Sequence, residues 1–317
     1  MKIVVLDGYT ENPGDLSWAG LEALGPVTVH DRTPVTDVAS RIGTAEAAIS
    51  NKTPVSRSAM EACPNLRYIG MLATGYDVID VEAARERGIV VANVPTYGTE
   101  AVAQFAIALL LEVASRVGHH DLAVHGGRWA SSPDWCFWDY PLMELNGKTL
   151  AIIGFGKIGQ TTGRIAGALG MRVLAVDEYV SDAGRALAEY VSLEEALARA
   201  DVIALHCNLT PGTREIIRAE TIARMKDGVI LVNNARGALV NERDLADALN
   251  TGKVAAAAVD VVSREPIEPS NPLLTAKNCL ITPHISWAPK ECRQRIMDVT
   301  VSNLKAFMEG KPVNVVG

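Results

Sequence analysis

Three short segments in the second half of the chain carry the side chains best suited to acid–base work: Asn233-Asn234-Ala235-Arg236-Gly237, Arg264-Glu265-Pro266 and Thr282-Pro283-His284-Ile285-Ser286-Trp287. An arginine offers a planar, permanently charged fork that matches a carboxylate with two parallel hydrogen bonds. A histidine exchanges its proton near neutral pH, and a carboxylate beside it favours the protonated form. Arg236, Glu265 and His284 together are the equipment needed to hold a carboxylate, polarise a neighbouring carbonyl and protonate the oxygen as charge develops. Taken singly, each has a plainer reading: His284 as a structural histidine, Arg236 and Glu265 as an ordinary ion pair.

A second constellation lies upstream. Ile152-Ile153-Gly154-Phe155-Gly156-Lys157-Ile158-Gly159 places G-x-G-x-x-G between an apolar run and a helical stretch. One glycine makes the tight turn, one lets a pyrophosphate approach the backbone, and one lets helix and strand pack closely. The amino terminus of the helix then presents unpaired N–H groups and partial positive charge to the phosphates. Asp177 ends the next apolar run, at the separation that brings an acid to the adenosine ribose, where it accepts from the hydroxyls and repels a 2′-phosphate. NAD is therefore expected over NADP, with Arg185 downstream tempering the discrimination. The bland alternative for Asp177 is a strand-end turn residue.

These residues need strands to carry them. From residue 1 to about 98, the runs Ile3 to Leu6, Ala47 to Ile49, Tyr68 to Leu72 and Ile89 to Val91 alternate with helical stretches, the rhythm of a parallel sheet. Glu100 to Val113 is rich in helix formers and apolar on nearly every side, which predicts a buried helix. The rhythm restarts at Gly147, with strands expected at Thr149 to Ile153, Arg172 to Val176, Val202 to Leu205, Val229 to Val232, Ala255 to Val259 and Cys279 to Ile281. Six strands with helices between them complete a dinucleotide-binding domain, and open sheets of this kind bind ligands at the carboxyl ends of their strands. A last amphipathic helix, after Pro289 and through Met308, returns to the first domain. The expected fold class is α/β, with two doubly wound parallel-sheet domains. A Rossmann NAD-binding domain (99–288, with 99–146 as a dimerisation arm) is inserted in a discontinuous flavodoxin-like substrate domain (1–98 plus 289–317).

Composition limits the partners. The 30 Lys and Arg against 37 Asp and Glu leave a net charge of −7 with no basic stripe, which argues against nucleic acid and anionic membrane. Cys63, Cys136, Cys207, Cys279 and Cys292 show neither metal-ligand nor disulfide spacing, so no metal and a reducing, cytoplasmic setting are expected. Trp129, Trp135, Phe137, Trp138 and Tyr140 crowd a loop-like stretch, the composition of an interface, and a homodimer is expected from it. His30, His119, His120 and His125 have no partner pattern and are read as surface or interface residues.

The glycine motif, the Asn-Ala-Arg-Gly segment, Arg264-Glu265-Pro266 and Pro283-His284, in this order and spacing, resemble the D-isomer-specific 2-hydroxyacid dehydrogenase family over essentially the whole chain. Ala73-Thr74-Gly75-Tyr76-Asp77, Trp138-Asp139 and Ser286-Trp287 look most like its glycerate dehydrogenase or hydroxypyruvate reductase branch. The resemblance implies an NAD-dependent oxidoreductase moving a hydride between nicotinamide and C2 of a small 2-keto or D-2-hydroxy acid: hydroxypyruvate and D-glycerate, or glyoxylate and glycolate. It makes His284 the proton donor in reduction and Arg236 the grip on the substrate carboxylate, with Glu265 beside His284. It puts the backbone of Thr74 and Gly75 against that carboxylate, and Trp287 on the wall of the substrate pocket or in plain core packing. It places Thr99, Ala103, Asn234, Ala235 and Asp260 near the nicotinamide, and His206, Cys207, Asn208 and Thr213 along the adenosine side.

Asn234, Asn208 and Glu178 depart from the commoner family residues, and the last two border the adenine pocket. Domain closure is expected about hinges near Gly98 to Glu100 and Trp287 to Pro289. The rival readings are an NAD-sensing, corepressor-like interaction protein on the same fold, or a dehydrogenase for another 2-keto acid. A phosphoglycerate enzyme would want extra basic residues, and a formate enzyme of this family a glutamine in place of Glu265.

Overall fold

Short runs of Val, Ile and Ala, each closed by turn residues, become the strands, because such side chains pack well on a sheet buried on both faces. The computed structural model describes residues 1–317, and the chain divides into two units: Met1–Gly98 with Trp287–Gly317, and Thr99–Ser286.

In the first unit β1 (Ile3–Val5), β2 (Val27–Val29), β3 (Ala47–Ser50), β4 (Tyr68–Met71) and β5 (Val90–Ala92) form a parallel sheet in the order β2-β1-β3-β4-β5. This is the flavodoxin-like order. The sequence reading lacks β2, an edge strand of three residues whose Thr28 and Val29 are exposed, so its periodicity is too weak to stand out. The helix Lys290–Met308 sets Ile296 and Leu304 into the core formed by Ile3, Val5, Ile49 and Tyr68. Loops at the carboxyl edge are tied down. The Asp7 carboxylate accepts the N–H groups of Asn51, Lys52 and Thr53 at 2.8, 2.6 and 2.7 Å.

The second unit holds β6 (Thr149–Ile153), β7 (Arg172–Val176), β8 (Glu189–Tyr190), β9 (Val202–Leu205), β10 (Val229–Asn233), β11 (Val254–Val259) and β12 (Cys279–Ile281). All are parallel, in the order β12-β11-β10-β9-β6-β7-β8. Six are the strands expected. β8 is the addition, two residues with no apolar run to announce it. The direction of winding reverses between β6 and β9, so the ligand crevice of this sheet belongs there. The helix Thr99–Ser115 buries Ala106, Ile107, Leu109, Leu110 and Val113 against Leu150, Ile152 and Phe155. Each fully buried leucine or isoleucine there contributes about 1.5–3 kcal/mol. No single helix is long and apolar enough to cross a membrane. The pair Thr99–Ser115 and Val117–His125, bent by 57°, passes that test of length and composition together, but the first of them spends its apolar face on the core.

Candidate active site

At the switch point β6 runs into the glycine turn and then the helix Lys157–Ala168. Gly154 has φ +93°, and a Cβ there would sit 2.3 Å from the Cys207 nitrogen; one on Gly159 would sit 2.3 Å from the Gly154 carbonyl oxygen. Both positions demand glycine. Around Gly156, at the helix amino terminus, nothing lies within 4 Å of the Cβ position, so the backbone faces open space where a phosphate can approach. Phe155 is buried edge-on against Tyr190, with ring centroids 5.7 Å apart, while Lys157 is exposed and Ile158 half-buried. Asp177, directly after β7, accepts the Phe155 N–H at 2.6 Å through one oxygen and the Tyr179 N–H at 2.8 Å through the other. The acid and the turn are thus one rigid piece. These features fit a nicotinamide dinucleotide.

The far wall comes from the segment after β9. The His206 backbone N–H donates to the Ile153 carbonyl at 2.7 Å, while the ring turns inward, its Nε2 3.0 Å from the Thr162 hydroxyl. Burial lowers the pKa of that imidazole to about 4, so it is neutral. Burial pushes the Cys207 thiol up. Asn208 is exposed, its carbonyl accepting the Thr213 hydroxyl at 2.7 Å, and the Thr213 oxygen in turn accepts the Thr210 N–H at 2.8 Å.

β10, β11 and β12 end in register, with Asn233 beside Val259 and Val259 beside Ile281, so their three loops leave one edge of the sheet. His284 Nδ1 lies 2.7 Å from Glu265 Oε2, and the Val262 N–H donates to Glu265 Oε1 at 3.2 Å. The plainer alternative, an Arg236–Glu265 ion pair, is not formed. The exposed Arg236 guanidinium donates to its neighbour's Ala235 carbonyl at 2.7 Å and makes no salt bridge.

His284 has φ +55°, a left-handed conformation that costs on the order of 1 kcal/mol outside glycine. Asp260 holds it there. One of its oxygens accepts the Thr282 hydroxyl at 2.6 Å and the Ile285 N–H at 2.9 Å; the other accepts the Ser286 N–H at 2.8 Å and the Ser286 hydroxyl at 2.6 Å. The resemblance sets Asp260 beside the nicotinamide. At 1% exposure, with four donors already on it, its carboxylate organises the His284 turn from within. Asn234 extends this network, its amide donating to the Val102 carbonyl at 2.9 Å and to the Ser286 hydroxyl at 3.3 Å. That ties the turn to the helix that Thr99 opens and in which Ala103 is fully buried.

In the first unit, the loop after β4 is fixed by the Thr74 hydroxyl donating to the Val94 carbonyl at 2.8 Å and by the Asn93 amide donating to the Thr74 carbonyl at 2.7 Å. Thr74 is exposed and Gly75 half-buried. Trp287 packs, partly buried, on the core of that unit. Three histidines read without partners have them: His119 Nε2 lies 2.7 Å from an Asp139 oxygen, His120 Nε2 accepts the Asp139 N–H at 3.2 Å, and His125 Nε2 lies 3.4 Å from an Asp121 oxygen. Sequence reasoning passed over Thr162 and Glu242, whose contacts lie far along the chain and leave no local signal.

The family model for the NAD binding domain of D-isomer specific 2-hydroxyacid dehydrogenases matches residues 107–286. A hydroxypyruvate reductase of Blautia hydrogenotrophica is 63% identical, over 100% of this chain and 99% of its own. A glycerate dehydrogenase of Methylorubrum extorquens is 39% identical over 88% of each chain. Among solved structures, the TT0316 protein of Thermus thermophilus superposes with a TM-score of 0.86 at 36% identity, covering 100% of both chains.

Proposed function

The chain belongs to the D-isomer specific 2-hydroxyacid dehydrogenase family, and on that premise we propose that it reduces hydroxypyruvate, and secondarily glyoxylate, with NADH to the corresponding 2-hydroxy acid. The observation that carries this reading is the His284–Glu265 contact of 2.7 Å in a turn fixed by Asp260, at the same sheet edge as an arginine that no acid neutralises. The 63% identity to a hydroxypyruvate reductase over the full chain supports the choice of substrate.

A bound nicotinamide supplies the hydride. Arg236 takes the substrate carboxylate in its fork and draws electron density from the C2 carbonyl. His284, oriented through Nδ1 by Glu265, gives the proton of its Nε2 to the carbonyl oxygen as negative charge develops there, and Glu265 stabilises the imidazolium until it does. One keto acid, one NADH and one proton yield one hydroxy acid and NAD. The Thr74–Gly75 loop is assigned to the substrate carboxylate as well, through backbone N–H groups. Asp177 retains lone pairs for the ribose hydroxyls and puts negative charge where a 2′-phosphate would lie, which supports NAD over NADP.

The same reading makes the protein a cytoplasmic homodimer. No disulfide joins its cysteines, and Leu122, Trp135 and Trp138 of the 99–146 arm stand 74%, 86% and 65% exposed, a surface suited to a second copy. The test is NADH and NADPH oxidation by the purified protein against hydroxypyruvate, glyoxylate, pyruvate, phenylpyruvate and branched 2-keto acids. Turnover is expected with the first two and with NADH at least about tenfold ahead of NADPH; no turnover on any keto acid would refute the proposal.

A further inference from the structure

Glu242 opens the helix Glu242–Thr251, directly after Asn241, whose side chain caps it by accepting the Asp244 N–H at 3.1 Å. A glutamate in a first turn is favourable for the helix dipole alone, and for that purpose it can face solvent. Here the carboxylate leaves its own helix. Oε1 accepts the Ser263 N–H at 2.6 Å, and Oε2 accepts the Ser263 hydroxyl at 2.8 Å and the Asn271 amide at 2.9 Å.

Ser263 lies two residues before Glu265. Asn271 caps the turn Pro272–Thr275, its Oδ1 accepting the Leu273 N–H at 3.0 Å. One carboxylate therefore grips both ends of the loop that carries Glu265. From that loop Glu265 accepts the Val262 N–H and meets the His284 ring. The loop is also pressed against the arginine segment: a Cβ on Gly237 would fall 1.9 Å from the Val262 carbonyl carbon. Glu242 sits six residues beyond Arg236 on that same connection, so its hydrogen bonds join the arginine segment to the glutamate loop.

We propose that Glu242 is a positioning residue for the reaction, setting the distance and angle of Glu265 to His284 through the 263–271 loop. This rests on the assignment of Glu265 and His284 under the proposed function. The carboxylate itself touches neither, and its effect is transmitted by Ser263 and Asn271.

The test is steady-state reduction of hydroxypyruvate by NADH, with kcat and KM determined separately, for wild type, Glu242→Ala, Glu242→Gln, Ser263→Ala and Glu265→Gln, with melting temperatures in parallel. Glu242→Ala is expected to lower kcat about tenfold at little change in KM. Glu265→Gln lowers kcat in the same direction and further, since the carboxylate that Glu242 positions is then gone. Glu242→Gln recovers part of kcat through its one remaining acceptor, and Ser263→Ala loses a smaller part. A Glu242→Ala or Ser263→Ala enzyme that melts earlier but keeps the wild-type kcat overturns the proposal, as a purely structural role moves only the melting temperature. If Glu242→Ala does not fold, Glu242→Gln and Ser263→Ala carry the same comparison. An inactive wild type overturns the functional reading first and this inference with it; an active wild type with unmoved variants overturns this inference alone.

Discussion

His206 is a histidine that folding forbids to carry charge. Its ring sits against the hydroxyl of Thr162, a residue 1% exposed on the helix that follows the glycine turn, and burial takes its pKa from 6.5 to about 4. Between those two values the unfolded chain binds a proton that the folded chain refuses. The stability this represents is whole above pH 6.5 and drains away as the pH falls toward 4. The gap, at about 1.4 kcal/mol per pH unit, amounts to roughly 3 kcal/mol. His206→Gln keeps an amide for the Thr162 hydroxyl and removes the titration. Urea unfolding of both proteins, from about pH 7 down to about pH 4.5, isolates the contribution, since other acidic groups cancel in the difference. Wild type should lose on the order of 2–3 kcal/mol more than the variant over that range. Parallel losses would show that the ring accepts a proton in place, and the reasoning from burial would be wrong.

Other consequences follow from the same geometry. Glu11 is fully buried with both carboxylate oxygens unpartnered, and desolvation raises it from 4.5 to about 8 against the pull of Arg293. The folded state keeps a proton the unfolded state releases, so this stability is present below pH 4.5 and lost as the pH rises through about 8. Glu11→Gln should raise stability near pH 9 by a few kcal/mol, with little gain near pH 5; equal urea midpoint shifts at both pH values would contradict it. Gly237→Ala puts a methyl into the backbone at Val262 and should cut kcat about a hundredfold while NADH titration by fluorescence stays close to wild type, an unchanged kcat being the contrary result. Trp135→Asp, at a residue 86% exposed, should shift sedimentation from dimer toward monomer at micromolar concentration; a monomeric wild type would dispose of the arm as an interface.

Much of the fold is legible because its strands are short apolar runs bounded by turn residues, and the glycine turn and Asp177 announce themselves by spacing. What escaped notice was weak locally. β2 has exposed residues and β8 has two residues in all, so neither carries a period. At the site, residue types pointed to Arg236, Glu265 and His284, and the sequence reading set Glu265 beside His284 with an Arg236–Glu265 pair as the plainer alternative. Register and loop geometry give the glutamate to the histidine and leave the arginine without an acid. Asp260 reads as a strand-end acid near the cofactor, yet its hydrogen bonds are spent on the His284 turn, a fact set by residues 22 to 26 positions away. The reach of Glu242 to Ser263 spans 21 residues and has no periodic signature. Hydrogen-bond partners chosen by tertiary packing are the part a linear reading misses.

The most direct test is the kcat of His284→Gln for hydroxypyruvate reduction, measured beside NADH affinity. Loss of the proton donor should lower kcat by about 10³, within the range general acid catalysis supplies, while the dissociation constant for NADH changes less than about threefold. A variant that turns over at the wild-type rate would contradict the assignment of His284 as the acid.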